Sequence, residues 1–91
     1  MLTNLYRQRM CIYMDISRMK DKVYRTERAI RNGELPSTDI RHYCSDYGVR
    51  YRQSIADKCL REAIAAAQNL YDELDEKIWN AELDREYFSM C

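Results

Sequence analysis

Turn-forming residues are scarce in this 91-residue chain, with two Gly and one Pro in all. An all-β fold needs turn signals roughly every 8–12 residues, so that class is excluded. No apolar run approaches the roughly 18 residues of a membrane span, and Arg7 and Arg9 interrupt the opening apolar stretch. The sequence therefore predicts no transmembrane span and no secretory signal, and an intracellular, cytoplasmic setting. The four cysteines, Cys11, Cys44, Cys59 and Cys91, stand singly with no C-x-x-C pair, and His42 is the sole histidine. Zinc-site spacing is missing, and reduced thiols are expected, with Cys91 the most exposed. There is no glycine-rich phosphate loop, and no nucleophile or carboxylate is arranged around His42. Asp72, Asp75 and Glu76 lack the Glu-x-x-His partner of a di-metal bundle. The expectation is a protein that is not an enzyme and holds no cofactor or metal.

What the chain does contain is helix. Ala, Leu, Arg, Glu and Met are abundant, and one domain is the most that this length supports. Leu2, Leu5, Ile12, Ile16, Met19, Val23 and Ile30 alternate at spacings of three and four, with Arg9 and Thr26 at the two remaining stations. That is a heptad seam, which Tyr6 and Tyr13 widen on one side. Asn32 and Gly33, then Pro36, end it, so the pattern predicts a helix over residues 2–31. Ser37, Thr38 and Asp39 offer N-cap oxygens for a short helix over 38–47, and Gly48 predicts a break or bend. From Val49 the apolar pattern runs through Ile55, Ala56, Leu60, Ala63, Ala67, Leu70, Leu74, Ile78 and Ala81, predicting a long helix over 49–87. Four alanines between Ala63 and Ala67 suit a close helix crossing. The fold class expected is all-α: a long antiparallel helical hairpin with a short connecting helix, assembling into a helical bundle.

Charge is divided along the chain. Residues 1–61 hold 13 Lys and Arg against 7 Asp and Glu; residues 62–91 hold 2 against 8. In a hairpin, Arg7 and Arg9 return beside the acids of the last helix, with Glu82 or Asp84 as the expected partner of Arg9 on the seam. Arg18, Lys20, Lys22, Arg25 and Arg28 gather at the turn end beside Arg50, Arg52, Lys58 and Arg61, while Asp72, Glu73, Asp75 and Glu76 gather at the open end. A second copy laid head to tail would match the two ends, so a homodimer, or a subunit of a larger protein complex, is the expected state. The alternative is that both ends are simply solvated.

Two local features bear on function. Arg41, His42, Tyr43, Tyr47, Arg50, Tyr51 and Arg52 interleave aromatic and guanidinium groups. Such a cluster can stack bases and hold phosphates, can serve as a protein interface, or can pack its tyrosines with their hydroxyls outward. Leu5, Tyr6 and Arg7 spell the tripeptide of the mitochondrial LYR-motif proteins, and the chain resembles that family in those three residues and in length. The resemblance implies a three-helix adaptor for iron–sulfur cluster assembly or respiratory complexes. The family's downstream phenylalanine lies in a basic segment, whereas Phe88 lies in the acidic tail. The leading expectation is a helical interaction module, either an accessory subunit or a viral or phage-type inhibitor of a larger machine. Nucleic-acid or nucleotide binding through the Arg/Tyr cluster is the second, and an LYR-like adaptor the third.

Overall fold

The computed structural model describes residues 2–90, with side chains through Leu83. Expectations placed on Asp84, Phe88 and Cys91 lie outside the described side chains. Three α-helices follow in order: α1 (Leu2–Arg31), α2 (Arg41–Asp46) and α3 (Ala56–Met90). Short 3-10 turns, Thr38–Ile40 and Gln53–Ile55, lead into α2 and α3. No strand occurs among the described residues. The long helices form an antiparallel hairpin, tied near its turn by Arg61 on Glu27 and near its open end by Arg9 on Asp75, 2.6 Å apart.

Packing follows the seam. Every station of α1 from Leu2 to Ile30 is buried or half-buried, Arg9 and Thr26 included. Thr26, at a core station, turns its hydroxyl back to the Lys22 carbonyl at 2.9 Å, so its polar group is satisfied inside the helix. On α3 the buried line is Ala56, Leu60, Ala63, Ala67, Leu74 and Ile78, with Tyr71 half-buried. Leu70, expected in that line, is 43 % exposed. Two successive spacings of four, Ala67 to Tyr71 after Ala63 to Ala67, shift the stripe, because a straight helix drifts away from a strict heptad. Met19, fully buried, belongs to the same cluster as Ala63 and Ala67, so a long side chain on one helix sits with small ones on the other.

Both glycines adopt φ near +70°, a conformation that L side chains resist. At Gly33 the following amide, Glu34, donates to the Ala29 carbonyl at 2.8 Å; at Gly48 the Val49 amide donates to Cys44 at 2.8 Å. Each is a Schellman close that stops its helix. Gly48 is therefore a true break, and the long helix begins at Ala56 rather than at residue 49. Residues 49–53 alternate half-buried Val49, Tyr51 and Gln53 with exposed Arg50 and Arg52. That period of two belongs to extended chain, not helix. Residues 38–47, expected as one helix, divide into the 3-10 turn, capped by the Ser37 hydroxyl on the Asp39 amide, and α2.

The result is a thin rod. Its Cα extents are 64 × 20 × 15 Å, and its radius of gyration is 17.1 Å against about 12 Å for a compact chain of this length. Accessible surface is 6864 Å², where about 5,600 Å² is usual for this mass. The α2 segment adds a second layer only at the turn end, where Lys22 bonds Asp39 at 2.6 Å and the Tyr47 hydroxyl donates to Asp15 at 2.7 Å.

Candidate interaction surface

None of the three tyrosines of the Arg/Tyr cluster is exposed. Tyr43 is buried in the core with Ile40 and Cys44. Tyr47 is half-buried and spends its hydroxyl on Asp15; burial first, then that carboxylate, push its pKa far above the usual tyrosine range. Tyr51 is half-buried, with a hydroxyl that is enclosed and has no hydrogen-bond partner among the described residues; burial raises its pKa too. The tyrosines pack, the Tyr47 hydroxyl onto Asp15 and the Tyr51 hydroxyl enclosed, and Gly48 places Tyr51 on a different segment from the other two. Arg41, His42, Arg50 and Arg52 are exposed, with the His42 ring against Tyr43 at 3.9 Å between centroids. The Arg50 and Arg52 carbonyls face the Cys59 thiol, the closer at 3.4 Å.

The charged ends separate as rows of solvated side chains. Arg18, Lys20, Arg25 and Arg28 are exposed at the turn half, and Asp72, Glu73, Asp75 and Glu76 at the open half. Folding softens the division along the sequence. Residues 16–69, the turn half, hold 11 Lys and Arg against 7 Asp and Glu, and the remainder holds 4 against 8. Arg9 finds Asp75, not Glu82, and its guanidinium also lies 5.4 Å from the centre of the Tyr6 ring; Glu82 instead accepts from the Tyr6 hydroxyl. A seam charge satisfied within its own chain no longer argues for a second one. Lys22 is half-buried, and its bond to Asp39 holds that carboxyl below the usual aspartate range.

The feature that the sequence did not isolate is a flank. α2 and its 3-10 turn cover the side of α1 that carries Asp15 and Lys22. The opposite side carries Tyr6, Met10, Tyr13 and Tyr24, at spacings that share one face of a helix. Met10, Tyr13 and Tyr24 are each between 58 and 65 % exposed. Across the hairpin the same side of α3 presents Tyr71, whose ring meets Tyr13 at 6.4 Å, and Trp79, 61 % exposed and one turn beyond Asp75. Tyr6, Arg9, Met10, Tyr13 and Tyr71 line a cavity of about 330 Å³, and Tyr13 and Tyr71 continue into a second of about 230 Å³ with Ile16, Lys20 and Gln68. The groove is apolar, long and uncovered. Tyr6 and Tyr13 beside the seam hinted at it, and a second stripe through residues 6, 10, 13 and 24 was the available signal.

The remaining candidates are quiet. Cys44 and Cys59 are buried and Cys11 is exposed, all as free thiols. Burial, with the neighbouring Cys59 thiol adding to it, raises the Cys44 pKa. Among the described residues no cluster of His, Cys, Asp and Glu could hold a metal ion, and no helix is long and apolar enough to cross a membrane. Leu5 is half-buried on the seam, Tyr6 bonds Glu82 and Arg7 is exposed. No protein-family model matches this chain, and no curated protein or solved structure is significantly similar to it.

Proposed function

We propose that this protein works by binding another protein chain through its uncovered aromatic flank, as a helical interaction module. The observation that carries the reading is the groove between α1 and α3, lined by Tyr6, Arg9, Met10, Tyr13 and Tyr71, with exposed Tyr24 three turns further along the same face of α1, on a rod too thin to cover it. Tyrosine, tryptophan and methionine are the side chains that interfaces favour, because they supply large contact area at modest entropic cost. Exposed arginines and carboxylates at the strip's margins would set orientation and encounter rate.

Base stacking has less support, since Tyr43 is buried and Tyr47 and Tyr51 are half-buried. Phosphate contacts from Arg50 and Arg52 alone would give salt-sensitive binding of low selectivity.

The test compares the wild-type chain with a Met10→Glu, Tyr13→Glu variant as bait in cells that express it. Both sites are more than half exposed, so helicity should persist by circular dichroism. A defined protein partner, a second copy included, that the variant loses would support the reading. Co-purifying RNA or nucleotide that is lost with Arg50→Ala, Arg52→Ala and untouched by the flank variant would replace it.

A further inference from the structure

We propose that the occupant of the aromatic flank is a second copy of this chain, laid antiparallel about a twofold axis that crosses the hairpin near Ser17 and Gln68. The proposal rests on the binding reading above and names the partner.

Surface area is the first ground. The chain exposes 6864 Å², an excess of about 1,200 Å² over a compact monomer of its mass. A standard interface takes about 800 Å² from each partner, so the excess is enough to be hidden in one. α2 covers the hairpin on one side only, and a second hairpin on the other side completes a four-helix bundle.

Charge selects the orientation. A twofold contact must be self-complementary: whatever one half of the patch presents, the other half must receive. On this flank the turn half carries exposed Lys20, Arg28 and Arg61, the last bonded to Glu27, and the open half carries exposed Asp72 and Asp75, the latter bonded to Arg9. Stacking the hairpins parallel would set the turn half, 11 basic against 7 acidic, upon itself. Turning one copy end for end sets each basic half over an acidic half. α3 then lies along its counterpart with Arg61, which already holds Glu27, over Asp72, which has no ion-pair partner among the described residues, while Tyr24 meets Met10 along α1. Trp79 lies at the margin of the same strip, where a second copy would shield it.

The measurement is light scattering on size-fractionated protein, with the emission of Trp79, the sole tryptophan, followed from roughly 1 µM to 1 mM. The expected result is twice 11.0 kDa, with Trp79 emission moving to shorter wavelength as protein is added. Arg61→Glu and Asp72→Arg should each weaken association, by roughly tenfold because each pair occurs twice. The chain carrying both reversals should regain it, which a merely damaged fold would not. A mass of 11.0 kDa with unchanged emission throughout overturns the proposal. So does a dimer that Met10→Glu, Tyr13→Glu leaves intact, because that dimer uses another face. If the chain stays monomeric yet captures a different protein through the flank, the second copy is excluded and the binding reading stands. If it stays monomeric and flank-dependent capture also fails, both fall.

Discussion

Met19→Ala should remove a large part of this protein's stability, and the loss measures whether the α1 seam faces α3. Met19 is fully buried in the cluster that holds Ala63 and Ala67. Truncating a buried Met to Ala costs about 2–5 kcal/mol, the lower end applying where the surroundings can close the gap. Ala63 and Ala67 are small enough for the long helices to approach and recover part of the contact, while Ile40, Tyr43, Cys44 and Leu60 in the same cluster keep the gap from closing fully. We therefore expect about 2–3 kcal/mol. At the low end of the usual range, about 0.05 kcal/mol per residue, a chain of this length has a total near 5 kcal/mol. The variant would keep about half of it.

Urea unfolding followed by helicity should register that loss as a midpoint lower by about 2 M, with an m-value near 1–1.5 kcal/mol/M unchanged. Protein concentration must be held constant between the chains, since self-association would add to both. Met14→Ala is the matched control. Met14 lies on the same helix, chemically identical and 43 % exposed, and its loss should stay within about 0.5 kcal/mol. Equal losses at the two positions, or less than about 1 kcal/mol at Met19, would refute the register of the hairpin.

Gly48→Ala meets no atom within 4 Å of the added Cβ, so its cost is the backbone's alone, about 1 kcal/mol and visible as a lower melting temperature. Tyr47→Phe strips a half-buried donor from Asp15 and should cost about 1–2 kcal/mol in denaturant unfolding. In the wild type Tyr47 should be among the last tyrosines to ionise in an alkaline absorbance titration. Since its folded pKa is raised, the unfolded chain loses that proton first, and stability falls as pH climbs past about 10. Asp39 has the opposite sign: its depressed folded pKa contributes stability above the ordinary aspartate value, lost as pH falls through the folded one. Both partners are partly solvated, so the effect is a few tenths of a kcal/mol, read by the Asp39 carboxyl resonance with and without Lys22→Ala. Thiol labelling mapped by mass spectrometry should modify Cys11 long before Cys44 or Cys59, and equal rates at the three would contradict their burial.

The long-range features of the fold were written in periodicity, and the short-range ones were not. α1 could be read station by station because its seam holds one spacing through four heptads, even where Arg9 and Thr26 occupy core positions. The apolar pattern from Val49 predicts a helix starting at residue 49, ahead of its observed start at Ala56. Local alternation at residues 49–53 had already switched to a period of two. Leu70 was misassigned for a related reason: a heptad rule carried past Ala67 points to it, whereas the straight helix turns Tyr71 inward. The tyrosines at 43, 47 and 51 were spaced to share a face, and only the positive φ at Gly48 shows that they do not. Hydroxyl direction lay beyond any pattern, since Asp15, which fixes Tyr47, is 32 residues distant.

The candidate surface was less legible because it is defined by what leaves it uncovered. A helix with a wide apolar face is compatible with burial on either side of its seam, and Tyr6 and Tyr13 could equally have met the connecting segment. That segment packs on the other side, burying Ile40, Tyr43 and Cys44 in the core and meeting Lys22 and Asp15 through Asp39 and the Tyr47 hydroxyl. With the connecting segment on that side, the aromatic side chains of the other remain open. In a chain of 91 residues with one connecting helix, there is no further element within the described residues to close them. The apolar strip and the separated charges are then two parts of one physical problem. A second hairpin in reversed orientation answers both, covering the strip and placing each basic half against an acidic one.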